Sequence, residues 1–408
     1  MKFLIHVNKL NKTFKNLVAL SFGIFISIIT AETIARLLPA SDSTSIVFPI
    51  QCPENSIINI KCFHRRKPFS KLRYIKGAFP PFPIDVIKNV NDIGQFSDID
   101  FSQYSKNNIN SIPIISIGDS FVEAKQVRND ESFHGILTHS KIYQNKTKRK
   151  LNIVSTSIGA MGYSFPHYVK ALEFASNKAM IQDSYVIITI ISNDFETSFK
   201  EYSSIAAKGY FFFKLDSNNI IFDPYLENFR AIFKRFIVNN FALSRYIIIN
   251  LEAAGIFYSK PLCFLWDACV EGKIAANIID SEIDTDHQRY IDGYHSSDLL
   301  IYNIERLRKS SLERKKTIFI FDADRQNIYD ERIPKSSYFE MQRNYLMNKL
   351  KSKGFSIIDL DNDFRRVFKT TNHKFEFIND GHWNPYAHKV VSESIIKAIT
   401  KIENSINK

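Results

Sequence analysis

The sequence predicts an α/β fold: a three-layer α/β/α domain on a mostly parallel, five-stranded sheet, preceded by an N-terminal membrane helix. Three observations predict it. Short unbroken runs of apolar, mainly β-branched residues recur after residue 110, and segments of helical character alternate with them. Such runs are typical of parallel strands, because both faces of their sheet are covered. Near the N-terminus, an uncharged apolar run follows a lysine-rich segment, which is typical of a membrane helix.

The composition is that of a chain able to bury a full core. Of its 408 residues, 45% are hydrophobic and 24% are charged, which excludes collagen-like, mucin-like and wholly disordered classes. Lys and Arg number 54 against 42 Asp and Glu, a formal net charge of +12. Such an excess fits an anionic partner: nucleic acid, a membrane face or an acidic glycan. We expect no nucleic acid, because the cationic clusters flank the membrane segment and no recognition motif is present.

The N-terminal segment, residues 1–40, is predicted to be a signal anchor. Four lysines and no acid come first, and the uncharged, mostly apolar run Leu17–Ala31 follows. As a helix that run is about 22 Å long, short of the roughly 30 Å of hydrocarbon in a bilayer. Continuing to Leu38 brings it to about 33 Å and includes Glu32 and Arg36, which are placed to pair at the interface.

A cleaved signal peptide, with Ile29-Thr30-Ala31 as its small-residue site, is the main alternative, and a buried core helix is the second. We favour the anchor because the apolar pattern continues through Leu38 without a clean cleavage site. Lysines precede the run and none follows it directly, which places the N-terminus inside and the bulk of the chain outside. The predicted location is therefore the cell membrane, single-pass, with the following domain extracytoplasmic (periplasmic).

All four cysteines follow the apolar run and form two close pairs in the sequence, Cys52 with Cys62 and Cys263 with Cys269. The spacing is compatible with small disulfide loops in an oxidising compartment, and four buried free thiols would give the same pattern. No Cys or His spacing is typical of zinc, and we expect neither a metal nor another cofactor.

Residues 41–110 predict a basic, loop-rich stretch, because they are rich in Pro, Asn and Lys. Its cations concentrate in one cluster, formed by Arg65, Arg66, Lys67, Lys71, Arg73 and Lys76. We interpret the cluster as part of a solvated linker that faces anionic head groups, with a glycan-binding patch as the alternative.

The main domain is predicted over residues 111–402. Its five strands are expected at Pro113–Ile117, Asn152–Thr156, Tyr185–Ile191, Lys316–Phe321 and Phe355–Leu360. Helices are expected at Glu131–His139, Phe165–Lys178 and Tyr386–Ile402. Ligands of parallel sheets gather at the carboxyl ends of the strands, so the residues that follow each strand are the candidates for chemistry.

Residues 197–294 are not required by this scheme, and we interpret them as an insertion. They contain the aromatic run Tyr210–Phe213, a long helical candidate at Leu226–Leu251 and the second cysteine pair. Two interpretations stay open: a cap that shapes substrate choice, or a peripheral support.

A candidate nucleophile follows the first strand, in Gly118-Asp119-Ser120-Phe121. A serine in a tight strand-to-helix turn exposes its hydroxyl at the sheet edge, and the helix N-terminus offers backbone N–H groups to a developing oxyanion. The G-x-S-x-G elbow of the α/β-hydrolases does not fit, because Val122 stands where its second glycine belongs. Alone, Gly-Asp-Ser is a weak signal, because such a run more often marks an ordinary turn.

The turns after the second and third strands contain candidate oxyanion donors. The second turn has Gly159 and Gly162, and a glycine lets a backbone N–H approach a carbonyl oxygen without a Cβ in the way. Asn193, after the third strand, has a side-chain amide that can donate to the same oxygen. One such donor is worth on the order of 3 kcal/mol in the transition state. Each turn alone also fits ordinary turn chemistry.

A candidate base lies near the C-terminus, in Asp380-Gly381-His382-Trp383, directly before a predicted helix. An imidazole beside a carboxylate suits a general base: His382 accepts the proton of Ser120 and Asp380 holds the ring tautomer. The alternative is a surface Asp-Gly turn with an idle histidine.

Taken in chain order, these segments resemble the four blocks of the SGNH/GDSL hydrolase superfamily, which contribute Ser, Gly, Asn and His. The similar runs are Ser-Ile-Gly-Asp-Ser-Phe, Ser-Ile-Gly-Ala-Met-Gly-Tyr-Ser, Ile-Ser-Asn-Asp and Asp-Gly-His-Trp-Asn. Asn91–Gly94 and Asn129–Phe133 also resemble stretches around the first block in bacterial, envelope-associated members. The resemblance covers roughly Asn91 to Ile402 apart from the insertion, and it implies an SGNH/flavodoxin-like fold.

The resemblance implies a catalytic triad of Ser120, His382 and Asp380, and an oxyanion hole of Ser120, Gly162 and Asn193, with Gly159 as the spare glycine. The chain departs from the family pattern twice. Ile191 occupies a position where the third block usually has glycine, and one residue instead of two separates Asp380 from His382. A similar Asp-x-His-Trp run occurs in polysaccharide O-acetyltransferases related to the superfamily, so Asp380 stays the candidate acid.

The function that the resemblance implies is a serine ester hydrolase that acts on an acylated envelope glycan or lipid through an acyl-enzyme on Ser120. The alternative is an O-acyltransferase that moves an acetyl group to an exported polysaccharide with the same triad. A non-catalytic glycan-binding or assembly protein is the second alternative. The expected partners are the acylated carbohydrate or lipid and, through the N-terminal helix, the membrane.

Overall fold

The structure of the chain is a computed structural model. It describes residues 2–42, 46–47, 49, 52, 59–77, 80–104, 111–144, 149–177, 184–202, 209–214, 218–224, 229–250, 287–330, 337–378 and 380–406.

The chain divides into two units, which we describe separately. The first comprises Met1–Ser43, Arg73–Asp85 and Glu227–Cys269, and the second comprises Thr44–Leu72, Val86–Leu226 and Val270–Lys408.

The described strands, in chain order, are β1 (Ile46–Val47), β2 (Arg65–Arg66), β3 (Lys71–Lys76), β4 (Ile84–Asn89), β5 (Ser111–Gly118), β6 (Lys141–Gln144), β7 (Arg149–Gly159), β8 (Tyr185–Ile190), β9 (Tyr210–Phe213), β10 (Ile220–Asp223), β11 (Thr317–Phe321), β12 (Ser356–Asp359), β13 (Glu376–Phe377) and β14 (Asp380–Trp383).

The described α-helices are α1 (Lys2–Leu37), α2 (Phe101–Tyr104), α3 (Ser120–Glu123), α4 (Phe133–Thr138), α5 (Phe165–Asn177), α6 (Phe229–Asn240), α7 (Ala242–Arg245), α8 (His287–Leu307), α9 (Ser311–Lys315), α10 (Arg325–Tyr329), α11 (Tyr338–Ser352), α12 (Leu360–Thr371) and α13 (Pro385–Ile406).

The second unit is built on one sheet with the strand order β12-β11-β8-β5-β7-β6. The α/β class is confirmed, and each of the five predicted strands is present with shifted ends. The sheet itself differs from the prediction, because it is mixed and has six strands. Its sixth strand, β6, pairs antiparallel with β7 at the edge. Its sequence, Lys-Ile-Tyr-Gln, contains no apolar run that would predict a strand, although Ile142 is buried.

Helices cover both faces of this sheet. Along β5 the side chains alternate, so that Ile112 and Ile114 enter one core while Ile115 and Ile117 enter the other. Helices α4, α12 and α13 fill the first core, and α5, α8 and α11 fill the second. This packing holds the ends of the parallel strands at one edge of a rigid, buried sheet.

In the first unit, α1 contains a stretch long and apolar enough to cross a membrane, Phe14–Leu37. Among the described residues, no other part of the chain buries its most apolar window. The predicted helix at Leu226–Leu251 is present as α6 and α7, which Phe241 separates.

The basic stretch 41–110 differs from a solvated linker. It contains β1 to β4, and Arg66 of the cationic cluster is buried against Glu123 with 2.5 Å between Nη2 and Oε1. The stretch also contains a disulfide between Cys52 and Cys62, which confirms the first of the two predicted pairs. The second pair, Cys263 and Cys269, lies outside the described residues.

Candidate active site

The strand register brings three of the predicted turns to neighbouring positions at the sheet edge. Strand β5 lies between β7 and β8. Gly118 at its end is level with Gly159 of β7, and Ile117 is level with Ile188 of β8. The turns that carry Ser120, Gly162 and Asn193 therefore leave the same edge side by side, with the Ser120 turn in the middle.

A close approach between α3 and the two strand ends fixes the Ser120 turn. Val122 of α3 is fully buried and packs directly on Gly118 and Gly159. A Cβ on Gly118 would lie 2.3 Å from Val122 Cγ2, and a Cβ on Gly159 would lie 2.8 Å from Val122 Cγ1. Both positions therefore require glycine for packing, independently of any catalytic role.

Asp119 caps α3 and so sets where the helix begins. Its Oδ1 accepts a hydrogen bond from Phe121 N at 2.9 Å, the usual contact of an N-cap side chain. Ser120 is thereby the first residue of α3. Its hydroxyl lies at the helix N-terminus, where the macrodipole favours negative charge.

His382 reaches the serine from the hairpin that β13 and β14 form. Its Nε2 lies 2.8 Å from Ser120 Oγ. The ring of Phe121 supports the imidazole from one side, with 4.9 Å between ring centroids. The next residue, Trp383, is buried, and its Nε1 donates to Asp322 Oδ1 at 3.1 Å. These contacts anchor the β14 backbone on both sides of the imidazole.

Asp380 lies on the other side of the imidazole. Its Oδ1 is 2.5 Å from His382 Nδ1, and it also accepts the backbone N–H of His382 at 3.0 Å. The carboxylate is more buried than the imidazole, with 7% against 27% of the side chain exposed. Gln126 Nε2 approaches both carboxylate oxygens, at 3.4 and 3.5 Å. The single residue between Asp380 and His382 therefore does not prevent the acid from meeting the base, since β14 extends the chain between them.

Asp119 places a second carboxylate at the site, directly beside the Ser120 hydroxyl. Ser120 Oγ lies 3.1 Å from Asp119 Oδ2, on the side away from the N-cap contact. Burial raises the pKa of Asp119 to about 6, although the Phe121 N–H and the nearby His382 both favour its charged form. The hydroxyl has one proton to donate, so at any moment it serves either His382 or Asp119.

The glycine turn after β7 leaves one backbone donor available. Gly159 N donates to Gln95 Oε1 at 2.8 Å, and Met161 N donates to Glu123 Oε2 at 3.1 Å. The N–H of Gly162 makes no hydrogen bond within the part of the chain that the structure describes. Gly162 has a φ of 79°, which a residue with a Cβ rarely adopts. Of the two candidate glycines, Gly162 is the one whose N–H can serve a ligand.

Asn193 lies in a short 3-10 turn, Ser192–Asp194, directly after β8. The fully buried Asp194 closes this turn by accepting from Ile191 N at 2.8 Å and from the Tyr168 hydroxyl at 2.8 Å. Burial raises the pKa of Asp194 well above its usual range, and the charge of Asp119 raises it further. The register of β5 and β8 places the Asn193 turn next to the Ser120 turn. The Ile191 side chain is buried in the core and leaves the turn intact.

No group of three or more His, Cys, Asp or Glu side chains suited to hold a metal ion occurs among the described residues.

Comparison with known proteins gives few likenesses. No protein-family model matches the chain, and no curated protein does. Among solved structures, an α/β hydrolase enzyme from the metagenome of Lake Arreo, Spain, is similar at 12% identity, with 72% of this chain and 96% of that chain covered and a TM-score of 0.34. A mutant of Axe2, an acetyl-xylooligosaccharide esterase from Geobacillus Stearmophilus, is similar at 11% identity with the same coverage and a TM-score of 0.32.

Sequence reasoning missed two residues of the site. Asp119 had a signal, since an Asp directly before a helix start is a typical N-cap, but its contact with the serine hydroxyl was not expected. Gln126 had no signal in the sequence, because its contact with Asp380 joins positions 254 residues apart. Its partner Asp380 was predicted from the histidine two residues away, not from anything near Gln126.

Proposed function

We propose that this chain is a serine ester hydrolase of the SGNH/GDSL type, acting on an acylated envelope glycan or lipid. The observation that supports the proposal most is the pair of contacts made by one imidazole. His382 has Ser120 Oγ at 2.8 Å on Nε2 and Asp380 Oδ1 at 2.5 Å on Nδ1. This is the arrangement that activates a serine hydroxyl as a nucleophile.

In the proposed reaction, Ser120 Oγ attacks the ester carbonyl carbon while His382 Nε2 accepts the hydroxyl proton. Asp380 holds the Nδ1–H tautomer and stabilises the imidazolium that forms. The charge on the carbonyl oxygen is stabilised by the N–H groups of Ser120 and Gly162 and by the side-chain amide of Asn193. His382 returns the proton to the leaving alcohol, and an acyl-enzyme on Ser120 remains. A water molecule then attacks the acyl carbon, gives a proton to His382 and releases the acid and the free serine.

The second candidate is an O-acyltransferase, in which a sugar hydroxyl replaces that water. The observation that favours it is the Asp380-Gly381-His382-Trp383 run, whose short spacing still brings acid and base together at 2.5 Å. Both reactions share the acyl-enzyme and differ only in the acceptor. In either case we propose that α1 anchors the chain in the cell membrane as a single pass, with the catalytic unit in the periplasm.

The test is the reaction of the purified full chain with short-chain 4-nitrophenyl esters and with a fluorophosphonate probe. We expect Ser120→Ala to abolish both 4-nitrophenol release and labelling, because the nucleophile is lost. The matched control is Ser352→Ala, an exposed serine on α11 that bonds only to its own helix, and it should behave as the unsubstituted chain. Unchanged ester turnover by Ser120→Ala would contradict a mechanism in which Ser120 is the nucleophile.

Two further readouts separate the candidate functions. Addition of a sugar acceptor that yields acylated sugar faster than free acid would favour transfer over hydrolysis. A folded chain whose Ser120 neither turns over esters nor takes the probe would favour the non-catalytic binding protein.

A further inference from the structure

Helix α6 in the first unit exposes a continuous apolar face. Phe229, Ile232, Phe233 and Phe236 recur every three or four residues, which places them on one stripe of a helix. Their exposed fractions are 80%, 47%, 53% and 55%. Scattered exposed apolar residues need no explanation, but four large ones on a single stripe indicate a binding surface.

The sequence around this stripe is cationic. From Phe229 to Asn250 the chain has no Asp or Glu, and its cations are Arg230, Lys234, Arg235 and Arg245. At 100° per residue, the three cations within α6 fall on the side of the helix away from the stripe. An aromatic and aliphatic face opposite a Lys/Arg face is the pattern of helices that lie in a membrane interface.

Hydrogen bonds tie the end of α6 to α1. Glu32 of α1 accepts the backbone N–H groups of Ala242 at 3.1 Å and Leu243 at 2.9 Å, the first residues of α7. Arg36 Nη2 donates to the carbonyl oxygen of Asn240, the last residue of α6, at 3.2 Å. The end of α6 is therefore held beside the last turns of α1.

Those turns lie at the depth where a membrane-spanning α1 would leave the hydrocarbon. Glu32 is 18 residues beyond Phe14, the start of the apolar stretch, and so about 27 Å along the helix axis. A hydrocarbon core is about 30 Å thick, which puts Glu32 and Arg36 at its far boundary. The contacts of Glu32 and Arg36 with the α6–α7 junction thus occur at the level of the lipid head groups.

We propose that α6 lies flat in the interface of an anionic bilayer, at the outer end of the α1 anchor. Its phenylalanine and isoleucine side chains enter the boundary between head groups and acyl chains, and its cationic face, which includes Arg235, is turned to the lipid phosphates. Charge complementarity and continuity with the apolar surface of α1 favour lipid over a second copy of this cationic chain. The proposal goes beyond the proposed reaction and does not depend on it.

The test places one tryptophan on the apolar face of α6 in the full chain, reconstituted into vesicles with phosphatidylglycerol and brominated lipids. The variant is Phe233→Trp with Trp266→Phe, which leaves only the buried Trp383 as background. We expect its indole to be quenched by bromines near the head-group end of the acyl chains more than by bromines at the bilayer centre. Interfacial helices sit only about 5–10 Å into the boundary region, so this depth order is diagnostic.

Three matched variants sharpen the readout. Val238→Trp keeps every charge and lies about 140° further around α6, so its indole should be quenched much less than that of Phe233→Trp. Arg235→Glu in the Phe233→Trp background should weaken the association of α6 roughly fivefold for each unit of charge lost, whereas Arg235→Lys should not. Near-ultraviolet circular dichroism checks that each variant keeps its fold.

Two results would overturn the proposal. If the Phe233→Trp indole is quenched by acrylamide and by no brominated lipid, α6 stays in water. If it is protected from both quenchers, a protein surface, such as a second copy of the chain, covers the stripe instead.

Discussion

The hydroxyl of Ser120 has two acceptors and one proton. His382 Nε2 lies at 2.8 Å and Asp119 Oδ2 at 3.1 Å, so the productive contact and an unproductive one compete. A carboxylate is the stronger acceptor only while it is charged. Burial raises the pKa of Asp119 to about 6, and near that pH part of the population carries a proton there and leaves the Ser120 hydroxyl to His382.

The two carboxylates near the serine should therefore differ sharply when neutralised. Asp380→Asn takes the charge from the imidazole and favours the wrong tautomer, so kcat for 4-nitrophenyl acetate should fall by roughly 10³–10⁴. Asp119→Asn keeps the N-cap oxygen of α3, replaces the competing acceptor by an amide and removes a charge near His382 that makes no hydrogen bond to its ring among the described contacts, so its kcat should stay within about tenfold of the original. Steady-state kinetics of both variants check this. A loss in Asp119→Asn as large as that in Asp380→Asn would make Asp119 the acid of the site.

At the residue scale, the sequence was sufficient to predict the site residues that lie in short recognisable motifs. It missed the side chains whose role depends on contacts between positions far apart in the chain. Ser120, Asp380 and His382 were proposed from local runs, and the structure brings their side chains within hydrogen-bond distance. The choice of Gly162 over Gly159 gains support from a side chain, Gln95, whose contact with Gly159 no spacing rule predicts.

At the element scale, the position of Ser120 depends on how α3 packs on the sheet. Val122 packs against Gly118 at the end of β5 and against Gly159 at the end of β7. A Cβ added at either glycine would meet a different set of atoms. A Cβ on Gly118 meets the end of the Val122 side chain at 2.3 Å, and its next contacts are at 3.2 and 3.4 Å. A Cβ on Gly159 would also lie 2.9 Å from Val122 Cβ and 3.1 Å from the carbonyl oxygen of Asp119.

Val122→Ala should therefore rescue one glycine substitution and not the other. Gly118→Ala alone should destabilise the fold by about 1–3 kcal/mol through overpacking, and in the Val122→Ala background most of that loss should disappear. Gly159→Ala should stay destabilising in both backgrounds, since a Cβ and a backbone oxygen remain in its way. Chemical unfolding of the four variants, each compared with its own background, gives the coupling energies. Equal coupling at both glycines would contradict this account of the turn.

Strands could be predicted from the sequence where consecutive side chains along the strand are buried. Each parallel strand contains a short apolar run, which in β8 is fully buried, and the sequence located each of them. Strand β6 lies at an edge and is held by pairing with β7 rather than by its own apolar run. The short strands β2 to β4 escaped prediction for a related reason: their cations are partly buried by ion pairs, such as Arg73 with Asp85 at 2.7 Å, that the sequence does not reveal.

At the scale of the whole molecule, the formal charge of +12 overstates what the surface presents. Lys88 is buried, donates to the carbonyl oxygen of Ala124 at 2.6 Å and lies over the Phe96 ring. Burial lowers its pKa to about 7, so at neutral pH a large part of it is uncharged. Arg66 is neutralised by Glu123 in the same region. The cations available to an anionic partner are therefore fewer than the composition suggests.

Buried histidines make the fold of the second unit less stable at acidic pH. Burial lowers the pKa of His64 to about 4 and that of His134 to about 3, and it lowers the pKa of His167 and His388 well below the usual value. An unfolded chain protonates these groups near pH 6.5, and the fold keeps them neutral. Their stabilisation is complete above that pH and is lost as the pH falls toward the folded pKa, because the unfolded state then binds more protons.

Buried acids, such as Asp119, Asp194 and Asp322, oppose this trend without reversing it. The raised pKa of Asp119, about 6, means that the fold takes up a proton between pH 7 and 5, which stabilises it by about 1 kcal/mol. Asp194 acts in the same direction, since burial also raises its pKa. Against them, His64 and His134 each remove about 2 kcal/mol by pH 5, and two further buried histidines act with the same sign.

We therefore expect the free energy of unfolding to fall by several kcal/mol between pH 7 and 5, a large share of the 5–15 kcal/mol typical of a domain. Urea unfolding of the full chain in detergent measures it, with Trp266→Phe so that the buried Trp383 reports alone. His134→Gln keeps an N–H for the carbonyl oxygen of Phe96, which His134 Nε2 contacts at 3.1 Å, and it cannot titrate. That variant should lose about 2 kcal/mol less than the original over the same interval, because one of the four buried histidines no longer titrates. Parallel pH curves for the two proteins would show that His134 does not contribute, and the acid sensitivity would then have to come from the other buried groups.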